Sequence, residues 1–375
     1  MIKMGKGQYI VLAMQAFTDL QRAMTLAGLA PLLLVGAGIH GQESPERFTP
    51  PSYRIPVPPA PAPMPVFPAP AALTATVDAL AREFGGVVGI SVRSLDWGWQ
   101  VDANATRRMP QQSVSKLWVA MTVLDARDRG RLTLDDEVTL TRDNLTVFHQ
   151  PIATLVVRDG VYRTTVRELL LRAMQQSDNT ANDRLLNLVG GPQAVRAFIR
   201  DKGLGDIRFG PGERLLQAGT AGLDWKSEYS MGRAFQQARA QLPPAVRRAA
   251  FDAYVADPVD GAAPAAIALA LARLKAGEVL APASARWLIT VMEASRTGKM
   301  RLRGAVPADW SFGHKTGTGQ DLGGRTAGYN DVGILTAPDG KAYAIAVMIG
   351  DTPRPIRERQ DLMQAVVASV VANHR

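Results

Sequence analysis

Ser113 is followed three positions later by Lys116, just after Pro110 and just before the apolar run Leu117-Trp118-Val119-Ala120-Met121. In a helix that begins there, the two side chains lie on one face, about one turn apart. The helix N-terminus places unpaired backbone N–H groups beside the Ser113 hydroxyl. One short segment could therefore supply a nucleophile, a base and part of an oxyanion hole. The same two residue types also serve as an ordinary helix cap and a solvated cation. Two more segments carry compatible chemistry. Ser177-Asp178-Asn179 follows the apolar helix end Leu169-Leu170-Leu171-Arg172-Ala173-Met174, where plain turn and N-cap chemistry is the alternative. Lys315-Thr316-Gly317-Thr318-Gly319 sits at a strand end before a Gly-rich turn. It is a poor phosphate-binding loop, because the first glycine is wrongly spaced and a strand follows.

The elements that must position these residues come from a chain of 375 residues, 46% hydrophobic and 21% charged, enough for one large domain or two ordinary ones. There is no cysteine, which excludes disulfides, thiolate metal sites and cysteine nucleophiles. The four histidines (His40, His149, His314, His374) are scattered, without the spacing of a zinc hydrolase. No metal or organic cofactor is expected. The net charge of +9 comes from arginines dispersed along the chain, with no nucleic-acid module beside them, so no nucleic-acid partner is expected.

Residues 1–41 read as a signal peptide or N-terminal anchor: Lys3, Lys6 and Arg22 precede an apolar run from Met24 to Ile39. Residues 42–71 form a Pro-rich linker that favours polyproline II. The folded domain is expected over 72–375. Helical spacing runs from Thr74 to Phe84; strands follow at Val87 to Val92 and Trp97 to Val101. Helices are expected from Ser113 to Arg129, Thr165 to Gln176, Thr180 to Val189, Pro192 to Lys202, Tyr229 to Gln241, Pro243 to Val255, Pro264 to Ala276 and Ala281 to Ala294. The tail turns to strands at Trp310 to Thr316, Ala327 to Leu335 and Lys341 to Gly350, then closes with a helix from Pro355 to His374. Strands early and late with helices between predict one α/β (α+β) domain. Both chain ends build its antiparallel sheet, and an all-helical region is inserted.

The order Ser-x-x-Lys, Ser-Asp-Asn, Lys-Thr-Gly resembles the penicillin-recognising serine enzymes, and specifically the class A serine β-lactamases. The resemblance runs from about Ala72 to the C-terminus. It takes in Pro110, the Thr164-Thr165-Val166-Arg167-Glu168-Leu169 segment, Gly190-Gly191-Pro192, Asp260 with Pro264, Val291-Met292-Glu293 and Asn330-Asp331. It implies the β-lactamase/transpeptidase-like fold and a small-molecule β-lactam substrate. It also implies roles. Ser113 attacks the strained amide and Lys116 helps remove its proton. The backbone N–H groups of Ser113 and Thr318 hold the oxyanion. Ser177 relays a proton to the ring nitrogen, and Asn179 bonds the substrate side-chain amide. Lys315, Thr316, Gly317 and Thr318 bind the substrate carboxylate. Arg325, in the following loop, is displaced from where the family places an assisting arginine, and a solvated loop arginine is its other reading.

Hydrolysis of the acyl-enzyme needs a base. The family's Glu-x-x-Leu-Asn pattern is met by Glu213-Arg214-Leu215-Leu216-Gln217, with Gln217 where the family has asparagine. The longer arm bears on how water is positioned. Asp260 follows Glu213 at a much greater distance than in the family, so an extra helical insertion is expected near 219–256. It would be either a lid over the site or a surface pair of helices. Competing activities for these motifs are a penicillin-binding D,D-carboxypeptidase or endopeptidase, an esterase-like hydrolase, and a non-enzymatic β-lactam sensor. The chain is expected to be a monomer, periplasmic or secreted.

Overall fold

The structure, a computed structural model, describes residues 67–375. The expected signal or anchor (1–41) and residues 42–66 of the linker lie outside the described residues. The chain first builds helix α1 (Ala71–Glu83) and strands β1 (Val87–Ser94) and β2 (Gln100–Ala103). A 3₁₀ turn (Gln112–Ser115) then leads into α2 (Lys116–Asp128). Strand β3 (Glu137–Thr141), helix α3 (Ala153–Asp159) and strand β4 (Val161–Thr165) follow. Next come α4 (Val166–Leu171), α5 (Asn179–Leu188), α6 (Gly191–Asp201), α7 (Glu213–Ala221), α8 (Ala234–Gln241), α9 (Pro244–Ala256), α10 (Pro264–Lys275) and α11 (Pro282–Glu293). The tail supplies β5 (Ser311–Thr318), a short hairpin of β6 (Asp321–Leu322) and β7 (Arg325–Thr326), then β8 (Tyr329–Thr336), β9 (Ala342–Asp351) and α12 (Ile356–Ala372).

Five strands form one antiparallel sheet in the order β2-β1-β9-β8-β5. β1, from the start of the domain, pairs with β9, from its end: Ile90 stands opposite Val347 and Val92 opposite Ile345. This is the expected sheet of both chain ends. β8 and β9 are covered on both faces, which is why they read as near-continuous apolar runs. Alternate residues of β9 serve opposite faces. Tyr343, Ile345, Val347 and Ile349 join a core with Leu73 and Val77 of α1 and Leu362, Val366 and Val370 of α12. Ala344, Ala346 and Met348 join the other core, with Ile267, Leu271 and Leu274 of α10. The small residues let α10 lie close to the sheet. A Cβ on Gly89 of β1 would fall 2.8 Å from Cγ of Pro264, the first residue of that helix.

Helix α2 is buried along its whole stretch from Lys116 to Leu124, as a helix apolar around its circumference must be. α5 and α6 pack on it, and it runs from the sheet into the helical half. The functional segments lie where the two halves meet. The second strand begins at Gln100 rather than Trp97, because Trp97 and Gly98 form the turn: the Trp97 N–H donates to Ser94 Oγ and Gly98 adopts φ 69°. The β3–β4 pair carries no hairpin signal, since helix α3 lies between its two strands.

Candidate active site

The segment before Ser113 is clamped from three sides. Asn330 Nδ2 on β8 donates to the carbonyls of Pro110 and Gln111 at 2.7 and 3.1 Å. Trp118 Nε1 donates to Gln111 Oε1 at 2.6 Å. The Gln112 N–H donates to Asp260 Oδ2 at 2.8 Å. These bonds hold Gln112 at φ 53°, a left-handed conformation that costs a non-glycine residue about 1–2 kcal/mol. Ser113 comes next, in the 3₁₀ turn, half-buried and facing a cavity. Lys116, fully buried at the head of α2, donates from Nζ to Ser113 Oγ at 2.7 Å, Asn179 Oδ1 at 2.8 Å and Glu213 Oε1 at 2.5 Å.

Helix α4 widens into a π-helical turn (Arg172–Gln176), and Ser177 caps it at φ 60°. Such turns and positive φ values often mark functional sites. Asp178 explains the sharp change of direction: its Oδ2 accepts the Ile152 N–H at 2.7 Å and its Oδ1 the Ala181 N–H at 2.9 Å, capping α5. Asn179 is thereby turned inward, where its Nδ2 also donates to the Val147 carbonyl at 2.9 Å.

Strand β5 forms the opposite wall. Lys315 Nζ donates to Ser177 Oγ and to the Thr316 carbonyl, both at 2.9 Å. Burial, and then the nearby Lys116 charge, push its ammonium well below the ordinary lysine range. Thr316 and Thr318 line the cavity with Thr297 and Arg301. The Thr316 hydroxyl lies 2.8 Å from that of Thr297, and Arg301 Nη2 donates to Thr318 Oγ1 at 2.6 Å. Gly317 does not line the cavity. Its part is close approach: a Cβ there would stand 2.3 Å from the Gln111 carbonyl, and at Gly319 1.7 Å from that of Ala327. Arg301 went unremarked in the sequence, among several arginines of a polar loop. It is nearly buried, stacked 3.8 Å over the Tyr329 ring, with Nη1 donating to the carbonyls of Gly317 and Asn330.

Glu213 opens α7 and is only 4% exposed. Its backbone N–H donates to both carboxylate oxygens of Asp183 at 3.1 Å. Burial, with the Glu213 charge beside it, pushes the Asp183 carboxyl up to about 6. Gln217, one turn along α7, donates from Nε2 to Gln112 Oε1 at 2.9 Å and Glu213 Oε2 at 3.3 Å. Gln320 Nε2 donates in turn to Gln217 Oε1 at 3.0 Å. The longer glutamine arm is thus held at both ends.

The expected insertion is neither a lid nor a detached surface pair. Helices α8 and α9 each dock through a small core of their own. Phe235 and Tyr229 pack with Val147 and Ala218; Phe251 and Tyr254 pack with Leu216 and Ala327. The Tyr254 hydroxyl reaches beneath the Ser113 segment, donating to Asp260 Oδ1 at 3.0 Å and accepting from Gln112 Nε2 at 2.6 Å. Burial pushes the Asp260 carboxyl up to about 6. Arg325 is neither free in solvent nor on the cavity wall. It bridges Asp252 of α9 at 2.7 Å and Asp351 of β9 at 2.6 Å. The resulting cavity, about 520 Å³, is lined by Ser113, Ser177, Asn179, Glu213, Thr316 and Thr318 among others. Lys116 and Lys315 lie buried beneath it.

A serine hydroxyl, a buried lysine and a buried glutamate in one hydrogen-bonded chain, facing a second serine–lysine pair, are the groups that acyl transfer requires. The model of the β-lactamase enzyme family matches residues 72–374. The chain is 28% identical over 283 residues to the extended-spectrum β-lactamase PER-1 of Pseudomonas aeruginosa, covering 76% of this chain and 80% of that one. It is 29% identical over 289 residues to the carbapenem-hydrolysing β-lactamase KPC of Klebsiella oxytoca, covering 77% and 84%. Among solved structures, a β-lactamase from Chitinophaga pinensis superposes with a TM-score of 0.65 at 28% identity, covering 81% of this chain and 99% of that one. An ancestral class A β-lactamase gives 0.63 at 29%, covering 80% and 99%. The chain belongs to the β-lactamase enzyme family, in its class A branch.

Proposed function

We propose that the protein hydrolyses the β-lactam amide of penicillin- and cephalosporin-type antibiotics through a covalent acyl-enzyme on Ser113, and so confers antibiotic resistance. The Ser113 hydroxyl adds to the lactam carbonyl while its proton passes to Lys116 or, through it, to Glu213. The oxyanion rests on the backbone N–H groups of Ser113 and Thr318. As the C–N bond breaks, Ser177, fed by Lys315, gives a proton to the ring nitrogen. The proton first taken from Ser113 replaces the one Ser177 and Lys315 have given up, so Glu213 is again a carboxylate. It then takes a proton from the water that attacks the ester, and that proton returns to the Ser113 oxygen as it leaves. Asn179 receives the substrate's acyl amide. Thr316, Thr318, Lys315 and Arg301 form the positive, hydroxyl-lined end suited to the substrate carboxylate, with Gly317 giving the strand its close approach.

The reading is carried by the Glu213 carboxylate, 2.5 Å from Lys116 Nζ and on the cavity wall. A sensor, or a D,D-peptidase acylated by a β-lactam, stops at the adduct, whereas a β-lactamase needs a base that directs water rapidly at that adduct. Sustained turnover of a chromogenic cephalosporin by the purified chain, with little adduct by intact-mass analysis, is the expected result. A single burst leaving a stable adduct would move the protein to the penicillin-binding or sensor class. Turnover of simple esters alone would make it an esterase. No helix among the described residues is long and apolar enough to cross a membrane. Periplasmic or secreted location and a monomeric state complete the proposal, to be checked by cell fractionation and light scattering.

A further inference from the structure

Helix α8 makes one wall of the active-site cavity. Phe235 is buried behind Phe148, with ring centroids 5.0 Å apart, and braces that aromatic edge. Arg239, one turn further on the same helix, lines the cavity itself. Its Nη2 donates to the Asp321 carbonyl at 2.5 Å, and among the described residues its guanidinium has no carboxylate ion-pair partner. Asp321, the acidic group on that wall, instead has its Oδ1 engaged by the Thr326 hydroxyl.

The other cations, Arg301 and Lys315, belong to the Thr316–Thr318 end. Thr316, Thr318 and Arg301 line the same cavity of about 520 Å³ as Arg239 and Asp321. Gln217, Gln320 and Asp321 line this cavity together with Asn179, and Gln320 Nε2 donates to Gln217 Oε1 at 3.0 Å. The substrate's ring carboxylate occupies the first end, leaving the second cation for whatever the acyl side chain carries.

We propose that Arg239 is a specificity-determining residue that binds an anionic group on the acyl side chain, so that the enzyme favours β-lactams bearing a second carboxylate there. The inference rests on the reading of the chain as a β-lactamase. The guanidinium keeps its bond to the Asp321 carbonyl and offers its remaining N–H groups to the incoming carboxylate.

The test compares kcat/KM for benzylpenicillin and for carboxybenzylpenicillin, which differ by one side-chain carboxylate. The ratio of the two is the readout, in wild type, Arg239→Gln, Arg239→Lys and Asp321→Asn. The carboxylated-to-plain ratio should fall about tenfold in Arg239→Gln, the size of one charge-assisted hydrogen bond at a half-exposed site. It should be largely kept in Arg239→Lys, rise in Asp321→Asn, and fall in wild type as salt is added. An unchanged ratio in Arg239→Gln overturns the proposal, whatever Asp321→Asn does. So does an equal loss on both penicillins in Arg239→Gln, since Arg239 would then only hold the β6–β7 hairpin. If wild type hydrolyses neither penicillin, the β-lactamase reading falls and this proposal with it. If it hydrolyses benzylpenicillin and the ratio ignores these charges, the role of Arg239 alone is wrong.

Discussion

Lys116 Nζ stands 2.5 Å from Glu213 Oε1 and 2.7 Å from Ser113 Oγ, so one ammonium joins the hydroxyl that would be acylated to the carboxylate that would release it. Lys116 is fully buried, and Glu213 reaches solvent only through the cavity it lines. Glu213→Gln should still acylate but accumulate a covalent adduct of substrate mass, whereas Ser113→Ala should form none. Removing one charge of a buried pair also leaves the other uncompensated, so Glu213→Gln should unfold about 3 kcal/mol more easily. Turnover by Glu213→Gln at the wild-type rate would remove Glu213 from the deacylation step.

Gln217 is tied to Gln112, Gln320 and Glu213, and lines the cavity beside the Glu213 carboxylate. Gln217→Ala should slow deacylation roughly tenfold or more while changing acylation less, because the base would lose its fixed geometry. Pre-steady-state kinetics would then show a burst that wild type lacks. Equal slowing of both steps would make Gln217 a packing residue only.

The sheet and most helices were legible in the sequence because their signals are local. β9 alternates between two covered faces, Pro264 and Pro282 open α10 and α11, and α2 carries apolar residues all round. The three Ser/Lys motifs were legible for the same reason, as short runs of fixed type. What escaped was the long-range support. Nothing near Tyr254 signals a hydroxyl beneath Gln112, and nothing near Arg301 signals a guanidinium under Thr318. Nor does anything around Glu213 signal that Gly212 leads straight into α7 or that the carboxylate is buried against Lys116.

Asp183 gives a pH dependence with a definite sign. Its carboxyl lies at about 6 against an ordinary 3.8, so folding takes up a proton between about pH 4 and 6. The group's contribution is therefore intact below about pH 4 and lost as pH rises through 6, an upper bound of about 3 kcal/mol. Asp183→Asn keeps an acceptor for the Glu213 N–H and loses the charge. It should be more stable than wild type in urea at pH 7.5, with the gain vanishing near pH 4. A gain independent of pH would show that Asp183 is not the titrating group.

Tyr254→Phe deletes one oxygen and leaves Gln112 Nε2 and Asp260 Oδ1 short of a partner in a buried place. The expected cost is about 1–3 kcal/mol in thermal unfolding. Because Gln112 adjoins Ser113, kcat should fall more than KM rises. A stable variant with unaltered kinetics would reduce Tyr254 to a surface-helix contact.

The pairing of β1 with β9 has a consequence for the order in which this molecule comes into being. As the chain is made, β1, β2 and the Ser113 helix emerge first, yet the partner that seats β1 in the sheet, through Val88 with Ile349 and Ile90 with Val347, is among the last segments translated. A nascent chain ending before β8 would hold Ser113, Lys116 and Glu213 but neither the Lys315 wall in its paired register nor the Asn330 clamp on Pro110. Such an unfinished chain carries an open strand edge and is prone to sticking to its neighbours until the tail arrives. The Ser113 site thus comes together in one late step, when the two ends of the domain meet.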